Sequence, residues 1–170
     1  MKRGLRLAGD WASSSLHIHA LRYARYRKQI MQFLSKGALT LVHHDCRPGN
    51  LFWHNGQPGF FDWQMVRIGE DISDVSYFLA TALKPEVRRL YELELLTNYH
   101  EKIVANSPTT VDFTGLLNRY RAHLVYPFEA MILTLAIGSM MQLESNLEMI
   151  RRTALAIEDH DTFGILPSIA

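Results

Sequence analysis

The stretch LVHHDCRPGNLFW, residues 41–53, sets a dense group of polar residues between two apolar, β-prone segments. A few residues later, FFDWQ at 60–64 places a second acid among aromatic side chains. Between them, the dipeptide Asn55-Gly56 is a strong signal for a tight hairpin turn, and GFF at 59–61 supplies the returning strand. The sequence therefore predicts one small β-hairpin that carries the unusual polar residues.

Outside this hairpin the chain is predicted to be helical, because apolar residues recur at helical spacing and cap residues precede them. Gly37 is a plausible stop for the first helix, and a break is predicted at Asn106, Ser107 and Pro108. The predicted helices cover 16–34, a segment from Asp71 or Ser73 to about 83, 85–105, a segment from Asp112 or Thr114 to about 126, 127–142 and 145–159. No further strand is expected after the hairpin.

Composition limits the classes of function. The 170 residues fit a single domain, and a net charge of +1 gives no electrostatic support for nucleic acid or an anionic membrane as partner. The only cysteine, Cys46, excludes an internal disulfide and fits a reducing compartment. The N-terminus lacks the apolar segment of a signal peptide, and the apolar stretch 130–141 is too short to span a bilayer. We therefore expect a cytoplasmic protein.

Residues 43–50 have the pattern H-x-D-x-R-P-x-N. The catalytic loop of protein kinases is H-R-D-x-x-x-x-N, in which the acid is the base and the amide binds Mg²⁺. The two patterns share the offset from acid to asparagine. Asp62 follows Asn50 by twelve residues, across the hairpin, and Asp62-Trp63-Gln64 stands where protein kinases have D-F-G with its metal-binding aspartate.

These residue types suit phosphoryl transfer, whose transition state is anionic, so that the protein mainly positions groups and neutralises charge. Mg²⁺ prefers oxygen ligands, which Asn50 and Asp62 can supply. A separate carboxylate, Asp45, can receive the proton of an acceptor hydroxyl. Arg47, close to Asp45, can offset charge on the transferred group.

The combination resembles the aminoglycoside phosphotransferase and choline-kinase-like group, which shares the protein-kinase fold. HHDCRPGN at 43–50 is similar to that group's H-G-D-x-x-x-x-N loop, with His44 in place of the glycine. FDWQMVRIGEDISDVS at 61–76 is similar to its I-D-W-x…G-x-x-x-x-D-[LV]-[AS] segment. The form D-W-Q…D-V-S-Y-F-L resembles the branch grouped with ecdysteroid-kinase-like and acyl-CoA-dehydrogenase-associated phosphotransferases. The likeness covers nearly the whole chain.

The resemblance implies roles for single residues. Asp45 would be the catalytic base, and Asn50 and Asp62 would hold Mg²⁺ beside ATP or GTP. His43 would orient the loop, and Asp74 would support it as a buried carboxylate that accepts backbone N–H bonds. The later helices would wall the pocket of the acceptor, where Tyr126, Glu129 and Met141 are candidate contacts.

The family also has an N-terminal lobe with a loop over the nucleotide and a phosphate-binding lysine on a strand. The 42 residues before His43 read as helix and contain no Gly-rich loop. We therefore expect residues 1–170 to form a kinase-like C-lobe alone, mainly α with the small hairpin, carrying the catalytic loop 43–50 and the metal-binding segment 62–64. Such a truncated enzyme would phosphorylate a small-molecule hydroxyl weakly or not at all alone, and a separate N-lobe polypeptide is a candidate partner.

Two other classes of function fit the same residues. A non-catalytic, pseudokinase-like lobe would bind a partner through an exposed apolar face near residues 1–20 and around the hairpin. A metallohydrolase would use histidines and acids as ligands of zinc or iron. The histidines available for that site are His17, His19, His43, His44 and His54.

Overall fold

A computed structural model describes residues 1–106 and 112–167 and shows a mainly helical chain with two small antiparallel sheets. The strands are β1 (Leu39–Val42), β2 (Leu51–His54), β3 (Gln57–Phe60) and β4 (Arg67–Glu70). The helices are α1 (Lys2–Ala8), α2 (Ser14–Arg25), α3 (Arg27–Phe33), α4 (Ile72–Ala82), α5 (Pro85–Asn106), α6 (Phe113–His123), α7 (Val125–Ile137), α8 (Leu143–Asp159) and α9 (Thr162–Ile165). The mainly α prediction is confirmed at this level.

The predicted hairpin is present as β2 and β3, which pair antiparallel from Leu51 opposite Phe60 to His54 opposite Gln57. Asn55 has a φ of 49° and Gly56 a φ of 75°, so both central turn residues are left-handed. Positive φ at both positions is what a two-residue type I′ hairpin turn requires, and it explains the Asn-Gly pair.

The prediction that no strand follows the hairpin was wrong. Residues 67–70 form β4, which pairs antiparallel with β1 and sets Leu41 opposite Ile68. The segment is only four residues long, and its partner strand lies on the other side of the hairpin in the sequence. A pairing between such distant segments leaves no local signal, so neither periodicity nor turn residues reveal it.

The first long helix was also predicted incorrectly, since 16–34 forms two helices rather than one. The chain leaves helical geometry at Tyr26, with φ −109° and ψ 16°, between α2 and α3. The helical region begins earlier than predicted, at Ser14, where the Ser13 hydroxyl accepts a hydrogen bond from the Leu16 N–H. Helix α3 ends at Phe33, within one residue of the predicted end at 34.

The caps of the later helices agree better with the sequence. Asp71 accepts a bond from the Ile72 N–H at the start of α4, and Asp112 accepts one from the Gly115 N–H at the start of α6. Helix α5 starts at Pro85 as predicted. Of the predicted break, Asn106 is the last residue of α5, whereas Ser107 and Pro108 lie outside the described residues.

Three boundaries near the C-terminus differ from prediction. Helix α7 begins at Val125, two residues before Pro127, which is still in the first turn where proline is tolerated. It ends at Ile137 rather than 142, because Gly138 takes a φ of 77°. Helix α8 begins at Leu143 rather than at 145, and it is followed by α9, so the helix predicted over 145–159 is not the last one.

The core is built around α7, which packs on α8, α4 and α1. Tyr77, Phe128, Ile132 and Ile150 are fully buried within it. Helix α1 approaches α7 closely at Gly4, where an added Cβ would lie 2.1 Å from the Ile132 carbonyl oxygen. Among the described residues, no helix combines the length and apolar character needed to cross a membrane.

Candidate active site

Asp74 ties the start of the polar loop to α4. Its Oδ2 accepts a hydrogen bond from the His43 N–H at 2.7 Å, and its Oδ1 accepts one from the His44 N–H at 2.9 Å. Asp74 lies in the first turn of α4, and the two residues that it binds directly follow β1. One carboxylate therefore fixes two successive backbone amides of the loop, which is the geometry implied by the family resemblance.

The His43 imidazole links the loop to the segment that carries Asp62. Its Nδ1 accepts a bond from the Asp45 N–H at 3.2 Å, so its Nε2 carries the proton and donates to the Phe61 carbonyl oxygen at 2.9 Å. The ring also packs against Trp63, with centroids 4.6 Å apart. His43 thus holds together the two segments in which the sequence predicts the acids of the site.

Asp45 is held by two donors and keeps access to a cavity. Its Oδ1 accepts from the Tyr77 hydroxyl at 2.9 Å, and its Oδ2 accepts from the Asn50 Nδ2 at 2.8 Å. Burial, together with the charge of Asp45, raises the pKa of Tyr77 well above its usual value, so the phenol remains a donor. The Arg47 Nε lies 3.5 Å from Asp45 Oδ2, and the Asp45 side chain is 18% exposed. Asp45 is therefore fixed in orientation yet able to meet a ligand.

Asn50 directs both amide hydrogens at one residue. Its Nδ2 donates to the Asp45 carbonyl oxygen at 3.0 Å as well as to the carboxylate. These bonds identify which amide atom is the oxygen, because only the nitrogen can donate. Asn50 Oδ1 accepts no hydrogen bond from the residues that the structure describes and is left as a possible ligand atom, although the residue as a whole is only 1% exposed.

Asp62 lies in the left-handed region, with φ 65° and ψ 59°. It lines the same cavity of about 390 Å³ as Asp45 and Arg47. The structure therefore brings three of the predicted site residues to one cavity, while Asn50 is hydrogen-bonded to Asp45 but is not among the residues that line the cavity. Asp45, Asn50 and Asp62 supply carboxylate and amide oxygens, a donor set that fits Mg²⁺. Asn50 and Asp62 would be its ligands.

The far wall of the cavity comes from α7 and the segment after it. Tyr126, Glu129 and Met141, the predicted acceptor contacts, all line it. Two further residues of the site, Tyr77 and Arg27, were missed from the sequence. Tyr77 follows Asp74 by three residues on α4, and residues three apart share a helix face, so this spacing was the available signal.

His44, which stands where the related group has glycine, adopts a φ of 67° and is 4% exposed. Its ring packs edge-on against Tyr126, with centroids 3.8 Å apart. Burial and the nearby Arg67 lower the pKa of His44 to about 3, so the imidazole is neutral at pH 7. His44 therefore adopts left-handed backbone geometry although it has a side chain, and this geometry is strained.

Neither a reactive thiolate at Cys46 nor the metallohydrolase considered from the sequence is supported by the described residues. Burial, followed by the charge of Asp74, raises the pKa of the Cys46 thiol, so it is not a reactive thiolate. Within residues 1–106 and 112–167, no group of three or more His, Cys, Asp or Glu side chains could hold a metal ion. The histidines proposed for a metallohydrolase therefore form no such cluster there.

The chain belongs to the phosphotransferase enzyme family, whose model matches residues 5–109. No curated protein and no solved structure shows a significant match. The matched region contains the loop 43–50, Asp62 and Asp74, whereas the α7 wall of the cavity lies beyond it. The match thus covers the predicted catalytic residues and stops before the predicted acceptor wall, so the expected likeness over nearly the whole chain is confirmed only for residues 5–109.

Proposed function

We propose that this chain is the catalytic lobe of a phosphotransferase that uses ATP or GTP with Mg²⁺ to phosphorylate a hydroxyl group of a small molecule. Its fold is then that of a protein-kinase-like C-lobe. One observation carries the proposal: Asp45 and Asp62 line one cavity, and Asn50 is bonded directly to Asp45. This grouping supports the roles that we propose, with Asp45 as the base and with Asn50 and Asp62 as oxygen ligands in phosphoryl transfer.

In this proposal Asp45 receives the proton of the acceptor hydroxyl as that oxygen bonds to the γ-phosphorus and the bond to the nucleoside diphosphate breaks. Tyr77 and Asn50 each donate a hydrogen bond to one oxygen of the Asp45 carboxylate. These two bonds fix the direction of the lone pairs that remain for the acceptor hydroxyl. Arg47 offsets the negative charge beside the base. Bound Mg²⁺ would neutralise charge on the phosphates, with Asn50 and Asp62 holding it.

We also propose that this chain alone has only weak phosphotransfer activity. Among the described residues, neither sheet carries a Gly-rich loop over the cavity, and no strand contains a lysine. Alignment of the γ-phosphate supplies much of the catalysis in such enzymes. We propose that a separate N-lobe polypeptide supplies the missing contacts and that this chain alone transfers phosphate slowly or not at all.

The site is tested with Mn²⁺ as a paramagnetic probe, titrated into the protein in the presence of ATP and followed by water proton relaxation. Because a carboxylate ligand is lost, Asp62→Asn should weaken Mn²⁺ binding at least tenfold. Asp71→Asn is the control, since Asp71 caps α4 and does not line this cavity. Absence of binding, or equal binding by wild type and Asp62→Asn, contradicts the proposal.

The need for a second polypeptide is tested separately, by measuring the transfer of labelled phosphate from ATP to water or to added alcohols. A slow rate that Asp45→Asn abolishes is expected. Rapid turnover by the chain alone, also abolished by Asp45→Asn, would leave the base assignment standing and refute the need for a second polypeptide.

A second function, that of a partner-binding lobe, is favoured by one observation. Large apolar side chains are exposed on both sheets, with Leu41 at 62%, Ile68 at 65% and Trp53 at 68%, and Ile18 near the N-terminus is 71% exposed. Contiguous exposed apolar residues often mark a protein interface. Failure of the Mn²⁺ test, together with a complex that Leu41→Ser disrupts, would favour this function.

A further inference from the structure

Much of the cavity lining outside the loop 43–50 is apolar, and we call this part the apolar wall. Residues that supply it come from the segment after β3, from α7 and from the loop after α7: Met65, Ala130, Leu133, Ile137, Met140 and Met141. Ile137 is 66% exposed and Met140 is 59% exposed, so this wall is open to solvent. Exposed apolar side chains inside a cavity that also contains the predicted base are typical of a ligand site.

The charges along this wall are already paired. Apart from the residues at the reacting end, the charged side chains that line the cavity are Arg27 and Glu129. Glu129 accepts hydrogen bonds from the Arg27 Nε at 2.5 Å and from the Tyr23 hydroxyl at 2.8 Å. Burial, with the charge of Glu129, raises the pKa of Tyr23, so this phenol remains a donor. Among the described residues of the wall, no acid is left to receive a cationic ligand.

We propose that the acceptor is an alcohol with an uncharged, apolar body, which lies against this wall while its hydroxyl meets Asp45. The inference rests on the proposed phosphotransfer for the role of the hydroxyl. A polycationic acceptor would lose hydration on entering and gain no acidic partner, apart from the acids needed for the reaction. Methionine side chains adapt their shape to apolar ligands, so the wall suits a flexible or irregular body.

The experiment compares three alcohols with the same length of carbon skeleton and different charges at the far end. They are methyl 10-hydroxydecanoate, which is neutral, 10-hydroxydecanoate, which is anionic, and 10-aminodecan-1-ol, which is cationic. Binding to the full chain is measured by calorimetry without nucleotide. The neutral ester should bind at least tenfold more tightly than the amine and more tightly than the acid. Equal or tighter binding of either charged compound, or no binding of the ester, overturns the inference.

A matched pair of variants places the binding on the wall. Ile137→Gln should weaken binding of the ester about fivefold or more, because an apolar contact is replaced by an amide. Leu90→Gln, at a residue of α5 that is 70% exposed and does not line the cavity, should leave it unchanged. Equal effects of the two substitutions would refute the assignment.

Two outcomes separate this inference from neighbouring ones. Binding of the ester with no effect of Asp62→Asn on Mn²⁺ would refute the phosphotransferase proposal and leave the apolar site standing. Self-association that Ile137→Gln abolishes in sedimentation experiments would show that a second copy covers the wall, and it would overturn the inference.

Discussion

Two carboxylates close to the β1–β4 sheet are used in opposite ways. Glu70, at the end of β4, is 2% exposed and accepts bonds from the Gly37 N–H at 2.6 Å, from two nitrogens of Arg119 and from the His123 Nε2 at 3.0 Å. Asp45, in the loop after β1, accepts bonds from two side chains and faces a cavity. Glu70 has its hydrogen-bonding capacity filled, whereas Asp45 keeps some of it.

The difference separates an acid that holds the fold from an acid that can react. Through its hydrogen-bond partners, Glu70 links three parts of the chain, namely strand β4, helix α6 and the segment that follows α3. Its negative charge is therefore fully paired within the protein. Burial alone would raise the pKa of Glu70, but hydrogen bonds from His123, Arg119 and the Gly37 N–H outweigh it and lower the pKa to about 2. Asp45 has open lone pairs toward solvent. A base must be able to meet a new donor, and only Asp45 of the two can do so.

The largest effect should come from substituting Glu70. Glu70→Gln keeps the shape but removes the charge that faces Arg119, so the free energy of unfolding should fall by about 3–5 kcal/mol. The measurement is urea unfolding at pH 7. Asp45→Asn is the matched control and should change stability by less than about 1 kcal/mol, because the Tyr77 hydroxyl can turn to accept from the new amide. Equal losses would remove the distinction between the two acids.

The pH dependence of stability should follow the same acid. The folded-state pKa of Glu70 lies below its usual value, so the stability it contributes is present above pH 4.5 and is lost as the pH falls toward 2. The loss attributable to Glu70 is about 3 kcal/mol. Burial also lowers the pKa of His123, which adds a loss below about pH 6.5. Unfolding curves of wild type and Glu70→Gln should converge as the pH falls; parallel curves would contradict this account.

A smaller effect is expected at the support of the loop. Asp74→Asn leaves one oxygen for the two N–H groups of His43 and His44, so one buried donor loses its partner. The expected cost is about 1–3 kcal/mol, with faster amide hydrogen exchange at His43 and His44. Asp10→Asn, at an exposed position, should change neither quantity. Unchanged exchange in Asp74→Asn would show that the loop is held by other contacts.

The smallest effect tests backbone strain beside Asp45. At His44, with φ 67°, glycine should be favoured over alanine by about 1 kcal/mol, because a Cβ is disfavoured in left-handed geometry. His44→Gly and His44→Ala are compared with each other, so the lost imidazole contacts cancel. At His54 in β2, whose backbone is not left-handed, alanine should be the more stable. The same order at both positions would rule out strain at 44.

Features set by neighbouring residues could be predicted from the sequence. The Asn55-Gly56 turn and the caps Asp71 and Asp112 depend on a few adjacent residues, and the structure contains all of them. The order of residues 43–50 likewise predicted a polar loop that carries Asp45 and Asn50, although not the hydrogen bond between them. The assignment of base and metal ligands stays a prediction.

Features that join distant segments could not be predicted. Strand β4 exists through its pairing with β1, and the break at Tyr26 lies between Tyr23 and Arg27, which both contact Glu129 more than 100 residues later. Helical periodicity describes one helix and its buried face. It carries no information about which distant acid contacts that face. The pairing of Arg27 with Glu129 at the cavity wall could therefore not be predicted.

The near-contact of Gly4 with the Ile132 carbonyl has a consequence for how the acceptor wall can be engineered. Helix α7 supplies that wall on one side and receives α1 on the other, without room for a methyl group between them. The first turn of α1 therefore supports α7 on the side opposite the ligand cavity. Even alanine at position 4 should shift α7 and change ligand affinity from a distance.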